Sequence, residues 1–265
     1  MIKQPEKAYK NLDFLNSTDA RPVRILCEYE EPRQRFVNEG IENTIVFFGS
    51  ARAKAPEEAQ RLLSEAEANA AAKPDDTAAA AQLLRLRRTV ALSRYYNEIR
   101  ELAGRITEWG QAHAEDYVVA SGGGPGIMEA TNRGASDIEG GRSIGLGISL
   151  PFEQGVNQWV TKSLAFEFHY FFTRKYWFLY HCKALVICPG GFGTLDEFFE
   201  TLTLLQTGKI SKRLPIVLYG RAYWDDILNL EAMARWGTIS EKDLELFVVV
   251  DTVDEAYDYI TTELS

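Results

Sequence analysis

The sequence predicts an α/β fold, a doubly wound parallel sheet with helices on both faces. Three observations carry that expectation. Short apolar runs, such as residues 44–48 and 184–188, have the length and β-branched content of strands buried on both sides. The C-terminal part alternates regularly, with strands expected over 214–219 and 247–250 and helices over 224–236 and 253–264. Two of the apolar runs lead through glycine-rich turns into helices, and sheets of this class bind anionic ligands at such strand ends.

Residues 1–40 are charged and interrupted by Pro5, Pro22 and Pro32. They are expected to form an extension with two short helices, one near 23–30, serving as an arm on a neighbouring subunit or as a loosely ordered terminus. The first strand, 44–48, ends in Gly49-Ser50-Ala51-Arg52. Gly49 and Ser50 are candidates to line a cleft, and Arg52 is either an anion contact or a surface arginine. Residues 57–72 and 77–113 have helical spacing and are separated by Lys73-Pro74-Asp75-Asp76, a helix stop and restart. This helical insertion, spanning 53–113, offers no site of its own and suits contact between subunits.

The next strand, 117–120, runs into Ser121, Gly122, Gly123 and Gly124, and a helix over 125–137 is expected to open at Pro125 and stop before Gly140-Gly141. Met128 and Glu129 fall in its first turn. Glu129 reads either as a ribose contact or as an acid favoured by the helix dipole. A strand over 142–148 precedes a loop, beginning at Pro151, long enough to cover a bound base; a strand over 164–168 follows. The helix expected over 169–182 is dense in aromatics, which suit a core and a subunit interface. Arg174 and Lys175 stand out in that apolar setting. A buried arginine there needs a partner, either an anionic ligand or Glu197.

The strand at 184–188 ends in Pro189-Gly190-Gly191-Phe192-Gly193. Thr194 reads as the N-cap of a helix with Phe198, Phe199, Leu202 and Leu205 on one side. Glycines here let backbone N–H groups approach a phosphate, and the helix dipole adds partial positive charge. Thr194-x-x-Glu197 is also a capping-box pattern, repeated at Thr252-x-x-Glu255, so its spacing alone says little. The glycine turn before it makes Glu197 a site candidate. Neither turn is a dinucleotide fingerprint, because the third glycine of G-x-G-x-x-G would fall at Ile127, and no P-loop pattern occurs.

At 265 residues and 46% hydrophobic content, residues 1–265 suffice for a single domain with a full core. A net charge of −9 argues against nucleic acid or an anionic membrane as partner. Cys27, Cys182 and Cys188 form no C-x-x-C, so no disulfide framework or metal site is indicated. The N-terminus lacks an apolar leader core, and no apolar run approaches about 18 residues, so a cytoplasmic location is expected.

SGGGPGIMEA at 121–130, TRK at 173–175 and PGGFGTLDE at 189–197 resemble the LONELY GUY (LOG) family, long labelled as lysine decarboxylases. The resemblance spans roughly residues 41–260. It implies a Rossmann-like fold that hydrolyses nucleoside 5′-monophosphates, AMP-like or cytokinin riboside 5′-monophosphates, to free base and ribose 5-phosphate. Carried over by position, the functional pair is Arg174 and Glu197, with Gly190, Gly191, Gly193 and Thr194 around the phosphate. The N-terminal extension and the helical insertion depart from the family pattern.

The chemistry follows from charge. Cleaving an N-glycosidic bond builds positive charge on the ribose, as in glycoside hydrolysis. Glu197 is expected to stabilise that charge or to deprotonate water. Arg174 would anchor Glu197 and the substrate and hold the carboxylate ionised. Lys175 joins it as a substrate contact, Gly122, Gly123, Gly124, Met128, Gly49 and Ser50 shape the nucleoside side, and no metal or organic cofactor is required. The partner is a small nucleotide, and a homodimer or higher homo-oligomer is the expected assembly. The rival readings are a non-catalytic nucleotide-binding or carrier protein on the same fold and a scaffold built around the insertion.

Overall fold

The structure of the protein, a computed structural model, describes residues 5–150 and 155–265. The start of the covering loop at Pro151 lies outside the described residues. Each apolar run becomes a strand: β1 (Asn43–Phe48), β2 (Tyr117–Ser121), β3 (Ser143–Ile148), β4 (Ala165–Phe168), β5 (Cys182–Ile187), β6 (Ile216–Tyr219) and β7 (Val248–Val250). They form one sheet in the order β4-β3-β2-β1-β5-β6-β7, with every pair parallel. All six residues of β1 are buried, as the position of a central strand demands. The chain winds outward from β1 to β4 and then returns to place β5 on the other side of β1. That reversal puts the topological switch point between β1 and β5.

The helices are α1 (Leu12–Leu15), α2 (Arg21–Asn38), α3 (Pro56–Ala72), α4 (Thr77–Ala112), α5 (Ile127–Ser136), α6 (Phe171–Tyr180), α7 (Phe192–Gln206), α8 (Arg221–Ile227), α9 (Leu230–Arg235) and α10 (Val253–Leu264). Side chains alternate along the strands and so feed two cores. Ile45 and Phe47 meet Ile99 and Leu102 of α4, Ala130 of α5 and Ile260 of α10 on one face. Val46 and Phe48 meet Phe36 of α2, Trp177 and Phe178 of α6 and Phe198 of α7 on the other. Each of the large side chains fully buried here stabilises the fold by about 1.5–3 kcal/mol.

The insertion is a helical hairpin that extends the first crossover helix. The Asp76 carboxylate accepts from the Ala78 and Ala79 amides and restarts the helix after Pro74. The early part of α4 packs on α3 through Leu86, Leu63 and Ala66, whereas its later part lies on the sheet.

Four expectations need correction. Helix α2 is one element of 18 residues that runs through Pro32, not a short helix near 23–30. The helix after the first glycine turn starts at Ile127, two residues beyond Pro125, because Gly126 adopts φ 73° as its N-cap. The expected helix over 224–236 is two helices: Leu228 is extended, and the Asn229 side chain accepts from the Ala232 amide at 2.9 Å to start α9. The aromatic helix ends at Tyr180, and Cys182 already belongs to β5.

Candidate active site

Three strand-end turns meet at the switch point, and the Ser50 backbone joins them. Its N–H donates to the Pro189 carbonyl at 2.9 Å, and its carbonyl accepts from the Ile127 amide at 3.1 Å. Gly126 permits this. A side chain there would need a left-handed backbone and would collide with the Ser50 carbonyl oxygen. The Ser50 hydroxyl accepts from the Arg52 amide at 3.1 Å and so serves its own turn, while Arg52 is exposed. Gly49 lies directly beneath the Ile127 side chain.

The 122–124 turn is held from behind. Ser121 Oγ donates to Asn132 Oδ1 at 2.8 Å and accepts from the Gly123 amide at 3.1 Å. Asn157 clamps the turn from the covering loop: its Nδ2 donates to the Gly123 and Gly124 carbonyls at 3.0 Å and to Asn132 Oδ1 at 2.9 Å. Gly122 marks a close approach, because a Cβ there would stand 2.6 Å from both Arg174 Nη2 and Met128 Sδ. Helix α6 and the first turn of α5 therefore converge on this turn. Glu129 points elsewhere and accepts from the Tyr96 hydroxyl at 2.7 Å.

Arg174 reaches this place by donating Nε–H to the Leu146 carbonyl at 2.7 Å and lying over the Phe178 ring, 5.0 Å from its centroid. Lys175 Nζ sits between Asp196 Oδ2 at 2.9 Å and Glu200 Oε2 at 2.7 Å. Burial pulls its pKa down, but those two carboxylates outweigh burial and the net shift is upward. Glu197 lies between these charges at 4% exposure. Burial raises its carboxyl to about 7, against the opposing pull of Lys175 and Arg174. The expectation that Arg174 keeps Glu197 fully ionised is thereby corrected: desolvation outweighs both cations, and Glu197 sits poised near neutrality.

Helix α7 begins at Phe192 with Gly191 as its N-cap and no side-chain cap, so Thr194 is not the N-cap. Thr194 stands in the first turn, its side chain packed over Gly190. Glu197 then lies a full turn inside the helix and makes no capping box, unlike Glu255, which does cap α10 with Thr252. Gly191 and Gly193 face open space, and Phe192 between them is 92% exposed. The Tyr223 hydroxyl donates to the Gly190 carbonyl at 2.6 Å and steadies the turn.

The structure thus brings together Gly49, Ser50, Gly122, Met128, Arg174, Lys175, Gly190, Thr194 and Glu197, with Gly123, Gly124, Gly191 and Gly193 on the adjoining turns. Sequence reasoning missed Asn157, Tyr223, Asp196 and Glu200. Only the last two left a signal, flanking Glu197 on its own helix. Among the described residues no His, Cys, Asp and Glu cluster could hold a metal ion, and no helix is long and apolar enough to cross a membrane.

Fold and site together define a Rossmann-like α/β protein with charged side chains gathered at its switch point. The family model described as "Possible lysine decarboxylase" matches residues 128–260, half of the chain, and the chain belongs to this family, the LOG family that its motifs resemble. Among solved structures, the X-ray structure of TM1055, a Northeast Structural Genomics Consortium target, is similar at 18% identity and a TM-score of 0.49. That similarity covers 83% of this chain and 99% of that one. No curated protein matches the chain in sequence.

Proposed function

We propose that the protein hydrolyses the N-glycosidic bond of a nucleoside 5′-monophosphate, AMP-like or a cytokinin riboside 5′-monophosphate, to free base and ribose 5-phosphate. One observation carries this reading: a buried carboxylate, Glu197, held near neutrality between Arg174 and Lys175 where three glycine turns meet. The uncapped, exposed first turn of α7 offers amides and helix-dipole charge to the 5′-phosphate. Glu197 then faces the ribose, where it stabilises the developing oxocarbenium charge and takes a proton from the attacking water. A carboxyl near neutrality changes protonation state at low free-energy cost, as that proton transfer requires. Arg174, fixed against the 122–124 turn, orients the sugar.

A pyridoxal-phosphate decarboxylase is not supported by these residues. A Schiff-base lysine needs a lowered pKa, whereas the cleft lysine, Lys175, is ion-paired twice and shifted upward. We also propose self-association. Phe171, Phe172, Tyr176 and Tyr180 of α6 and Leu26 and Tyr29 of α2 are exposed large hydrophobics, and the Tyr29 and Tyr176 rings adjoin at 5.3 Å.

The test is turnover of AMP, GMP, CMP, UMP and isopentenyl-AMP, with free base and ribose 5-phosphate followed by chromatography. Release of base, reduced at least about 10²-fold in Glu197→Gln while nucleotide still shifts the melting temperature, upholds the proposal. Intact nucleotides throughout, with binding seen by thermal shift, would leave a non-catalytic nucleotide binder.

A further inference from the structure

Helix α6 carries Arg174 and Lys175, yet its own sequence supplies no N-cap: Tyr170 precedes it without a side-chain hydrogen bond. The cap comes from α2. The Glu28 carboxylate accepts from the His169 amide at 2.7 Å, the Tyr170 amide at 3.2 Å and the Thr173 hydroxyl at 2.6 Å. The backbone of Glu28 is committed to α6 as well. Pro32, one turn further along α2, has no N–H to give the Glu28 carbonyl, and Trp177 Nε1 of α6 donates to it instead at 3.0 Å. Both carboxylate oxygens and the carbonyl of this one residue thus face α6. At the other end, Lys212 Nζ donates to the Leu179 carbonyl at 3.1 Å and the Cys182 carbonyl at 2.6 Å. An anion at the N-terminus and a cation at the C-terminus both match the helix dipole.

We infer that Glu28 is a positioning residue for the candidate active site, and that the N-terminal helix α2 is an integral part of that site. Glu28 sets the height and rotation of the first turn of α6, from which Arg174 and Lys175 reach the cleft. The inference rests on the proposed function for its kinetic readout, but not for its spectroscopic one. The charges acting on Glu197 are Lys175 and Arg174 from α6 and Glu200 and Asp196 from its own helix. When α6 loses its cap, the two cations move away and the two acids stay, so Glu197 becomes harder to ionise. Loss of the Glu28 negative charge alone acts in the opposite direction, which makes the sign of the change diagnostic.

The experiment uses the full chain and the variants Glu28→Ala, Glu28→Gln and Trp177→Phe. It measures kcat, KM and the pH–rate profile, and it titrates the Glu197 carboxyl by 13C NMR in the resting protein. In Glu28→Ala, kcat is expected to fall roughly 10- to 100-fold through misplacement of the reacting groups. The acid limb moves to higher pH, Glu197 titrates at higher pH, and Glu28→Gln, which keeps one acceptor oxygen for Tyr170 and Thr173 but not the one for His169, recovers part of the kcat loss. Unchanged kcat and an unchanged limb in Glu28→Ala would overturn the inference, as would a limb moved to lower pH or a lowered melting temperature alone. Should wild type hydrolyse no nucleotide, the proposed function falls, and the NMR titration alone decides the positioning role. Should Glu28→Ala fail to fold, Trp177→Phe, which frees α6 from the Glu28 carbonyl without changing any charge, carries the comparison, a smaller shift to higher pH upholding the inference and none overturning it.

Discussion

Glu197→Gln should make the protein more stable, and increasingly so as pH rises. In the folded chain the carboxyl titrates at about 7 against an ordinary 4.5, because burial outweighs the pull of Lys175 and Arg174. The unfolded chain therefore releases this proton while the folded chain still holds it. With the folded state binding more protons, stability falls as pH rises through that window. A difference of roughly 2.5 pH units corresponds to about 3 kcal/mol at full effect, of which roughly 2–3 kcal/mol develops between about pH 5 and about pH 8. Glutamine keeps the shape and carries no proton to lose. Urea denaturation of both proteins across that range should give a stability gap that widens with pH, or roughly 4–12 °C in melting temperature. A gap independent of pH, or one that narrows as pH rises, would refute the reasoning about burial.

Lys175→Met removes the stronger of the two cations acting on Glu197, so the acid limb of turnover should move to higher pH; a limb that stays put would show that Lys175 serves only Asp196 and Glu200. Gly126→Ala forces a side chain into a left-handed backbone and against the Ser50 carbonyl, so denaturation should show a loss of at least about 2 kcal/mol. Asn229→Ala removes the cap that starts α9 and should cost about 1 kcal/mol, with turnover unchanged.

What the sequence made legible follows from locality. The strands were readable because a parallel strand covered on both faces needs an apolar run, and β1 and β5 carry one at residues 45–48 and 184–187. The glycine turns were readable because Gly122, Gly123, Gly190 and Gly191 lie beside the strand ends they serve. Thr194 misled because the N-cap preference expects a polar side chain ahead of the apolar periodicity, whereas here the glycine backbone at 191 begins the helix and exposes Phe192. The pKa of Glu197 was misjudged for a related reason. Its cations were visible as neighbours on one segment, but its burial depends on packing from the whole sheet. Asn157 and Glu28 were illegible because they act on turns and amides 33 to 145 residues away, and no local pattern marks an acceptor that caps a distant helix.

The proline in α2 bears on how the chain is made. Synthesis runs from the N-terminus, so Glu28 emerges with its carbonyl denied a helical partner by Pro32, and the Trp177 indole that satisfies it lies 149 residues downstream. Phe36 waits for the same moment, since its ring partners are Phe166, Trp177 and His181. Helix α2 therefore completes its docking only after α6 has been made. A nascent chain stopped before α6 lacks Trp177 and His181 and holds α2 only through earlier contacts such as those of Arg35 and Phe36 with Ala165 and Phe166 of β4. Only a chain made past residue 177 can satisfy the Glu28 carbonyl in this way, so docking of α2 reports that α6 has been delivered.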